Sequence, residues 1–466
     1  MKRGIIFFIF SLFYFSSLLK AQELKTAADN DKFWKERFKH LPEFKKTLKK
    51  YKKYRLEIIY TQIDRNDQND PSFVQYHYGD KESYFYPAST VKLPMAIYTL
   101  EKLYNNSGSM EHQLVVKKGT GCGEEYKNEY YTYYRSKKDE TFGYIAHKFH
   151  KPLEYFSKLN PRIAEDSVLK ENSLILISAA PSKISVREII TEMLVFSSND
   201  AYNKLFEFCT PEFINARLKE TGYIHAGIYR RLLKCINAEW DNKSAGYAFY
   251  SNDTMKLKSE GIIQWENEFV TYPEKGIDVG KKYLDGDQLI RSPKNFDKAN
   301  VISLSELHLM LLRLVFMENI PEKKKFMFSR FEQRFLLRML GLYSRELERV
   351  RDITWMNVED GYANFIMDGN NKENIPPHIR IINIMGQAYG FTTDCAYIFD
   401  TKNKIEFMLS VRIYTNNDNI LNDDKYEYDE IALPLMEALG KEIHAYEIQR
   451  KREVVPNLNY FYSLFK

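Results

Sequence analysis

Segments with strand-like patterns lie near both ends of this chain, and segments with helical periodicity fill the interval between them. Residues 56–63 and 73–78 are rich in β-branched and aromatic side chains and flank a polar stretch, which predicts a hairpin. Residues 395–399 and 406–414 predict two more strands around a polar turn. We therefore predict an α/β (α+β) fold with one antiparallel sheet flanked by helices.

The helices are predicted from apolar residues that recur at helical spacing. The first, at residues 32–54, carries many lysines, which we interpret as the solvated face of a helix packed on the domain. Residues 225–300 are rich in Tyr, Asn, Asp and Gly and are predicted to be irregular. Further helices are predicted at residues 89–104, 186–196, 201–208, 303–317, 323–342 and 429–448.

The amino terminus has the layout of a secretory signal peptide. Two basic residues precede an apolar run at residues 5–19, and a small-residue cleavage site lies between Ala21 and Gln22. The run is short for a bilayer span, so we predict that residues 1–21 are removed and leave no stable membrane span. The mature protein would be secreted across the inner membrane, to the periplasm or beyond. An uncleaved amino-terminal anchor is the alternative.

Composition excludes several classes of protein. With 44% hydrophobic and 28% charged residues the chain is globular, and a net charge of +5 is too small to indicate a nucleic-acid partner. Its four cysteines, Cys122, Cys209, Cys235 and Cys395, lack paired zinc-ligand spacing, so no metal or other cofactor is predicted. An oxidising compartment would allow one disulfide, without indicating which pair forms it.

A serine and a lysine three residues apart stand at the start of one predicted helix. Ser89 and Lys92 would lie on one face of that helix, about one turn apart. A serine hydroxyl is a weak nucleophile, and a lysine amine that loses its proton in an apolar site can activate it. The same spacing recurs at Ser167 and Lys170. The strand pair before Ser89 and the long apolar helix after it favour the first copy.

A second motif, Ser197-Ser198-Asn199, lies between two predicted helices. A serine here can pass a proton from the lysine to a leaving group. An asparagine two residues further on can hold a substrate amide and hydrogen-bond the lysine. The alternative for Ser197 is a structural role as a helix N-cap.

Together these residues resemble the penicillin-recognising serine hydrolases, most of all the class A β-lactamase-like branch. That family is marked by Ser-x-x-Lys, then Ser-x-Asn, then Lys-Thr/Ser-Gly on a strand near the carboxyl end. The resemblance implies a β-lactamase/transpeptidase-like fold and an acyl-enzyme formed on Ser89, with Lys92 as proton acceptor. It also implies that Ser197 relays the proton and that Asn199 binds the substrate's amide side chain.

The third motif of that family is altered in this chain. In the segment Ile384-Met385-Gly386-Gln387 the glycine is kept, but isoleucine replaces lysine and methionine replaces threonine or serine. The family's lysine supplies positive charge for a substrate carboxylate, which isoleucine cannot do. The glycine still permits close backbone approach, and the backbone N–H of Gln387 could form an oxyanion hole with that of Ser89.

Two further parts of the family's site differ here. Arg380 is the candidate to supply the missing positive charge. Class A enzymes carry a Glu-x-x-x-Asn loop whose glutamate activates the deacylating water, but in residues 225–260 Glu239 is followed by Asn242, one residue short. We interpret Glu239 as surface charge, so the sequence gives no basis for predicting fast deacylation.

Residues 128–178 are predicted to form an inserted βααβ unit. The run KKDETFGYIAHKF at residues 137–149 and the segments at residues 153–161 and 169–176 resemble LysM modules. Those modules bind N-acetylglucosamine-containing glycans such as peptidoglycan. The alternative is an insert that binds no ligand.

These features predict an exported, class A β-lactamase-like serine hydrolase acting on a β-lactam or a peptidoglycan peptide. Its domain would be discontinuous, at residues 22–115 and 181–466. One alternative is a D-alanyl-D-alanine peptidase, favoured by the missing glutamate pattern and by the insertion. The other is a wall-binding protein on a decayed hydrolase scaffold, favoured by Ile384 and Met385.

Overall fold

The computed structural model describes residues 24–117, 128–232, 242–266, 269–270, 275–350, 360–369 and 374–466. The predicted signal peptide, Cys122, Cys235 and Glu239 lie outside these ranges, and what was expected of them stays a prediction. Cys209 and Cys395 are buried free thiols. Within the described ranges, no helix combines the length and the apolar character that crossing a bilayer requires.

Six strands form the main sheet, which confirms the predicted antiparallel hairpins. They are β1 Lys25–Thr26, β2 Glu57–Arg65, β3 Pro71–Gly79, β4 Ile379–Ala388, β5 Phe391–Asp400 and β6 Ile405–Tyr414. Their spatial order is β1-β3-β2-β6-β5-β4, and every neighbouring pair is antiparallel except the short pair β1 and β3. The amino-terminal hairpin therefore joins the carboxyl-terminal strands in the middle of the sheet.

Helices pack on both faces of this sheet, and α4 and α5 belong to a separate small core. They are α1 Asn30–Arg37, α2 Lys45–Lys49, α3 Lys92–Asn105, α4 Phe142–Lys148, α5 Leu153–Leu159, α6 Val186–Val195, α7 Asn199–Cys209, α8 Pro211–Glu220, α9 Leu304–Val315, α10 Arg330–Leu340, α11 Phe365–Asp368, α12 Leu433–Gln449 and α13 Asn459–Tyr462. Short strands elsewhere are Gln113–Val116, Ala226–Gly227, Lys243–Ser244, Tyr247–Tyr250, Lys256–Glu260, Ile263–Gln264, Asp278–Val279, Lys282–Asp285, Gln288–Ile290, Lys294–Asn295, Val301–Ile302, Arg349–Val350 and Ile420–Leu421. The region expected to be irregular thus contains many short pairings.

Alternating side chains of β4 divide the interior into two cores. Ile382 and Ile384 pack into the core that contains residues of α3, α6, α9 and α10. Ile381 and Met385 pack into the core on the opposite face, with residues of α1 and α12. Because successive strand residues point to opposite faces, positions 384 and 386 face the same side of the sheet.

Two predicted helices are shorter in the structure than their apolar patterns suggested. The helix expected at residues 32–54 is broken, because Leu41 precedes Pro42 and takes a non-helical backbone with φ −124°. The helix expected from residue 323 begins only at Arg330. There Ser329 and Glu332 form a capping box that satisfies the first backbone N–H groups.

The insertion has a strand–helix–helix–strand order. Its strands, Glu129–Arg135 and Leu174–Lys183, pair antiparallel, and α4 and α5 lie between them in sequence. Seven buried residues, among them Phe142 and Phe156, form a separate core. The second strand continues beyond residue 178, across the predicted boundary, and the LysM assignment stays a prediction.

Candidate active site

Ser89 lies on a single 3-10 turn, Ala88–Val91, that leads directly into α3. The preceding Ala88 has φ +46°, a left-handed conformation that is uncommon outside glycine. Lys92 is the first residue of α3, and its Nζ lies 2.8 Å from Ser89 Oγ. The turn thus brings together the serine and lysine that the sequence spacing paired, although the serine precedes the α-helix.

Lys92 is the centre of the arrangement, with four oxygen acceptors around its amine. Its Nζ lies 2.8 Å from Ser89 Oγ, 2.9 Å from Ser197 Oγ and 2.9 Å from Asn199 Oδ1. The fourth acceptor is the backbone oxygen of Ser197. Four residues that the sequence singled out therefore meet at one nitrogen atom.

The environment of Lys92 favours the neutral amine. The side chain is fully buried, and none of its four hydrogen-bond acceptors is an ionised group. Burial without a counter-charge lowers the pKa of Lys92 to about 7. A large fraction of the protein then carries an unprotonated lysine at neutral pH, in contact with the serine that it would activate.

Ser197 is held in an unusual backbone conformation. Its φ is +53°, in the left-handed region, and both its hydroxyl and its carbonyl oxygen are directed at Lys92. The alternative N-cap role belongs instead to Ser198, whose side chain accepts a hydrogen bond from the backbone N–H of Ala201 at the start of α7. Strain of this kind persists only where the surrounding structure enforces it and is concentrated at functional sites.

Asn199 is the exposed member of the group. Its Oδ1 accepts from Lys92, and the residue reaches the surface at the first position of α7. It is thus placed to contact both the lysine and a ligand.

Gly386 lies directly against the turn that carries Ser89. A Cβ atom at this position would lie 2.7 Å from the Pro87 carbonyl oxygen and 2.8 Å from the backbone nitrogen of Ser89. Only glycine permits this approach of β4 to the turn. Gln387 follows on the strand with an exposed side chain, whose Nε2 lies 3.4 Å from Thr392 Oγ1.

The expectation that Arg380 replaces the missing lysine is wrong. Its guanidinium makes two hydrogen bonds to Glu346, at 2.7 and 2.6 Å. It also lies six residues before Gly386 on β4, which corresponds to roughly 20 Å along an extended strand.

Sequence reasoning missed a buried polar pair, Asn383 and Asp394, that lies next to the altered third motif. Asn383 Nδ2 donates to Asp394 Oδ1 at 2.8 Å, and Asp394 Oδ2 accepts from the backbone N–H of Ile366 at 3.0 Å. Burial raises the pKa of Asp394 to about 7. In the sequence these look like ordinary strand residues, and only the register of β4 and β5 brings them together.

Sequence reasoning also missed a link from the insertion to this site. The Tyr130 hydroxyl lies 3.3 Å from Asp200 Oδ2, one residue after Asn199. Lys204, fully buried, pairs with Asp200 at 2.7 Å and lies 3.3 Å from the same tyrosine oxygen. The first strand of the insertion therefore contacts the helix that carries Asn199.

Residues 160–326 match the model of the beta-lactamase enzyme family. The matched segment contains Ser197 and Asn199. Ser89 and Lys92 precede it, and Gly386 follows it. No curated protein sequence matches the chain.

Several solved structures are similar to this one at low sequence identity. A class A beta-lactamase from Bacteroides cellulosilyticus is 10% identical, with a TM-score of 0.43 over 91% of this chain and 100% of the other. A beta-lactamase from Burkholderia ambifaria is 12% identical, with a TM-score of 0.42 over 87% and 98% of the two chains. PBP-A is 12% identical, with a TM-score of 0.40 over 84% and 91%.

Proposed function

We propose that this chain is a serine hydrolase that forms an acyl-enzyme through Ser89. The observation that carries the proposal is the position of Lys92, whose buried amine has a pKa of about 7 and contacts the hydroxyls of Ser89 and Ser197. A base with a pKa near neutrality, within hydrogen-bond reach of a serine, is what nucleophilic catalysis requires.

The reaction uses these groups in sequence. Neutral Lys92 takes the proton of Ser89 as its oxygen attacks the substrate's carbonyl carbon, and a C–O bond forms. The C–N bond of the lactam or amide then breaks, and its nitrogen takes a proton from the lysine through Ser197 Oγ. The backbone N–H groups of Ser89 and Gln387 are the proposed oxyanion donors. Water later cleaves the acyl-enzyme ester and restores Ser89.

Within this chemistry we propose the class A β-lactamase-like branch, with a β-lactam or a peptidoglycan peptide as substrate and with Asn199 binding its amide side chain. The match of residues 160–326 to the beta-lactamase enzyme family and the three residues hydrogen-bonded to Lys92 support this choice. The lifetime of the acyl-enzyme separates the two activities, since a β-lactamase releases its label within minutes and a peptidase retains it.

Acylation of Ser89 can be tested with a fluorescent penicillin and a fluorophosphonate probe. We expect at least one probe to label the wild-type protein, and Ser89→Ala to abolish the label because the attacking oxygen is gone. The matched control is Ser167→Ala, which removes the serine of the second Ser-x-x-Lys copy and should leave the label unchanged. The measurement is in-gel fluorescence, with the labelled peptide identified by mass spectrometry.

A wild-type protein that is folded by circular dichroism and takes neither probe would contradict the proposal. The non-catalytic alternative would then stand. Equal loss of label in the Ser89 and Ser167 variants would also count against Ser89 as the nucleophile.

We further propose that the protein is exported and that its insertion is a LysM-like module that binds peptidoglycan glycan. The LysM-like run at residues 137–149 and the separate core of the insertion support the second proposal. Amino-terminal sequencing of the secreted protein, expected to begin at Gln22, checks the first.

A further inference from the structure

A narrow pocket lies beside Ser197, in the place where the altered third motif meets the helices. Its walls come from the end of α6, the end of α10 and β4, and include Val195, Leu340 and Ile384. The cavity volume of this pocket is only about 20 Å³. A cavity of this size holds about one or two groups the size of a water molecule or a methyl group.

The pocket adjoins the catalytic group. Ser197 belongs to its wall, and the same residue's Oγ lies 2.9 Å from Lys92 Nζ. Ile384 faces the same side of β4 as Gly386, two residues before the glycine that touches the Ser89 turn. A substrate whose carbonyl carbon lies at Ser89 can therefore place a neighbouring group in this pocket.

The walls of the pocket carry no charge. Its polar members, Ser197, Tyr343, Asn364 and Asn383, are neutral, and the rest are apolar or glycine. Ile384 is 5% exposed and packs in one core cluster with Val195 and Leu340. A carboxylate placed here would lose its water without finding a charged side chain in the pocket wall, and the Lys92 amine behind Ser197 already has four oxygen acceptors.

Two guanidinium groups that contact the pocket-lining Tyr343 are already paired. Arg380 and Arg345 both stack on the Tyr343 ring, at 4.8 and 5.1 Å from its centroid. Arg380 makes two hydrogen bonds to Glu346, and Arg345 makes two to Asp360 at 2.9 Å each. Their charges are therefore directed to these carboxylates.

We infer that this pocket receives a small apolar group of the substrate next to the bond that Ser89 attacks, and that the substrate carries no carboxylate at that point. The inference rests on the proposed acylation of Ser89, and it narrows the proposed substrates to compounds in which the carboxylate beside the attacked bond is absent or masked. It makes Ile384 a residue that selects for substrates without that carboxylate, because an apolar side chain stands where the family has a lysine. Penicillin, which bears a carboxylate, should accordingly acylate more slowly than a neutral ester of similar reactivity.

A matched pair of thioester substrates tests the inference. Both carry the same N-acyl-D-alanyl group; one has thiolactate as its leaving group and the other has 2-propanethiol, in which a methyl group replaces the carboxylate. The attack of Ser89 forms the acyl ester and releases the thiol. We expect kcat/KM to be at least about tenfold higher for the neutral thioester. Thiol release and the intact mass of the acyl-enzyme are the measurements.

Ile384→Lys supplies the charge that the pocket lacks and should raise kcat/KM for the thiolactate substrate while lowering it for the neutral one. Ile384→Met is the control, since it has a similar length without the charge and should keep the wild-type preference. A reversal in both variants would assign the effect to size instead of charge and would overturn the role given to the apolar wall.

Different results would contradict the pocket inference and the proposed acylation of Ser89. If wild type prefers the thiolactate substrate and Ser89→Ala abolishes its turnover, the pocket inference is overturned and the acylation chemistry stands. If neither substrate acylates the folded protein above the level of Ser89→Ala, the proposed function fails and the inference fails with it. The wild-type preference decides the matter even if a pocket variant does not fold.

Discussion

At the scale of single residues, the proposed chemistry depends on whether the Lys92 amine carries a proton. Lys92 is buried, and the pKa of its amine falls to about 7 because no opposite charge compensates for the lost hydration of the ammonium form. Below that pH the amine is an ammonium that donates to Ser89 Oγ and cannot accept its proton. Above it, the amine has a lone pair to accept the proton.

The rate of Ser89 acylation should therefore rise with pH, with a midpoint near the Lys92 pKa of about 7. The rate rises with pH because the active form of Lys92 is the deprotonated amine. It is low at acidic pH and reaches a plateau at alkaline pH. Initial labelling rates at a series of pH values, with a neutral probe, give the midpoint.

Lys92→Arg is the corresponding variant, because a guanidinium stays protonated across the measured range. It should label very slowly, with no midpoint near neutrality. A wild-type rate that does not change between about pH 6 and 8 would mean that Lys92 is not the base.

Ser197 illustrates what single-residue reasoning can and cannot reach. The Ser-x-Asn pattern is visible in the sequence, and it led to both the relay role and the N-cap alternative. The choice between the two depends on a φ of +53°, which turns Ser197 towards Lys92 and leaves the capping to Ser198. The surrounding packing sets this backbone angle, so the residue types in the sequence do not predict it.

At the scale of elements, the site depends on the contact between β4 and the 3-10 turn of Ser89. Gly386 is the point of closest approach, since a Cβ there would meet Pro87 and Ser89 backbone atoms at under 3 Å. Those atoms belong to the backbone, so a side chain at position 386 could be accommodated only if the strand or the turn moved. The position of the Ser89 N–H relative to that of Gln387 is fixed by this contact.

Gly386→Ala should therefore lower the rate of Ser89 labelling, on the order of a hundredfold for a displacement of about 1 Å. Gly261→Ala is the matched control, because a Cβ at that exposed glycine meets nothing within 4 Å. Labelling rates of the two variants are compared, with thermal unfolding to verify that both are folded. Equal rates would show that β4 does not set the geometry of the turn.

Most elements could be predicted because their patterns are local. The hairpin of β2 and β3, the helix after Ser89 and the carboxyl-terminal strands all follow from alternation or helical spacing within a few residues. The helix expected at residues 32–54 was wrong because the proline rule at Pro42 outweighs a continuing apolar pattern. The pocket beside Ser197 could not be predicted, since its walls come from segments far apart in sequence.

At the scale of the whole molecule, the insertion is attached to the rest of the chain at several points, one of them next to Asn199. Its first strand pairs with Arg349–Val350, and Tyr130 belongs to the main core and contacts Asp200. The remaining part has its own core. The insertion can therefore be shortened beyond Tyr130 without removing that contact.

A variant in which a short Gly-Ser turn replaces residues 131–181 tests the glycan-binding proposal. Tyr130 and Ser182 are opposite each other in the strand pair, so a short turn can join them. We expect the full chain to co-sediment with purified peptidoglycan and the shortened chain to remain in solution, because the LysM-like surface is absent. Ser89 labelling of the shortened chain serves as the control for folding.

If the full chain does not bind peptidoglycan, the LysM assignment is wrong. If both chains sediment equally, the binding surface lies elsewhere on the hydrolase-like domain.

The order of strands in the main sheet also determines when this protein can finish folding. β2 pairs with β6, and Glu57 lies opposite Arg412 in that pair. The central strand pair of the sheet therefore forms only when both of these distant segments are present. The strands of the insertion are much nearer to each other in sequence and can pair earlier. During synthesis the insertion is therefore able to fold first, and the serine and its lysine reach their final surroundings only after nearly the whole chain has been made.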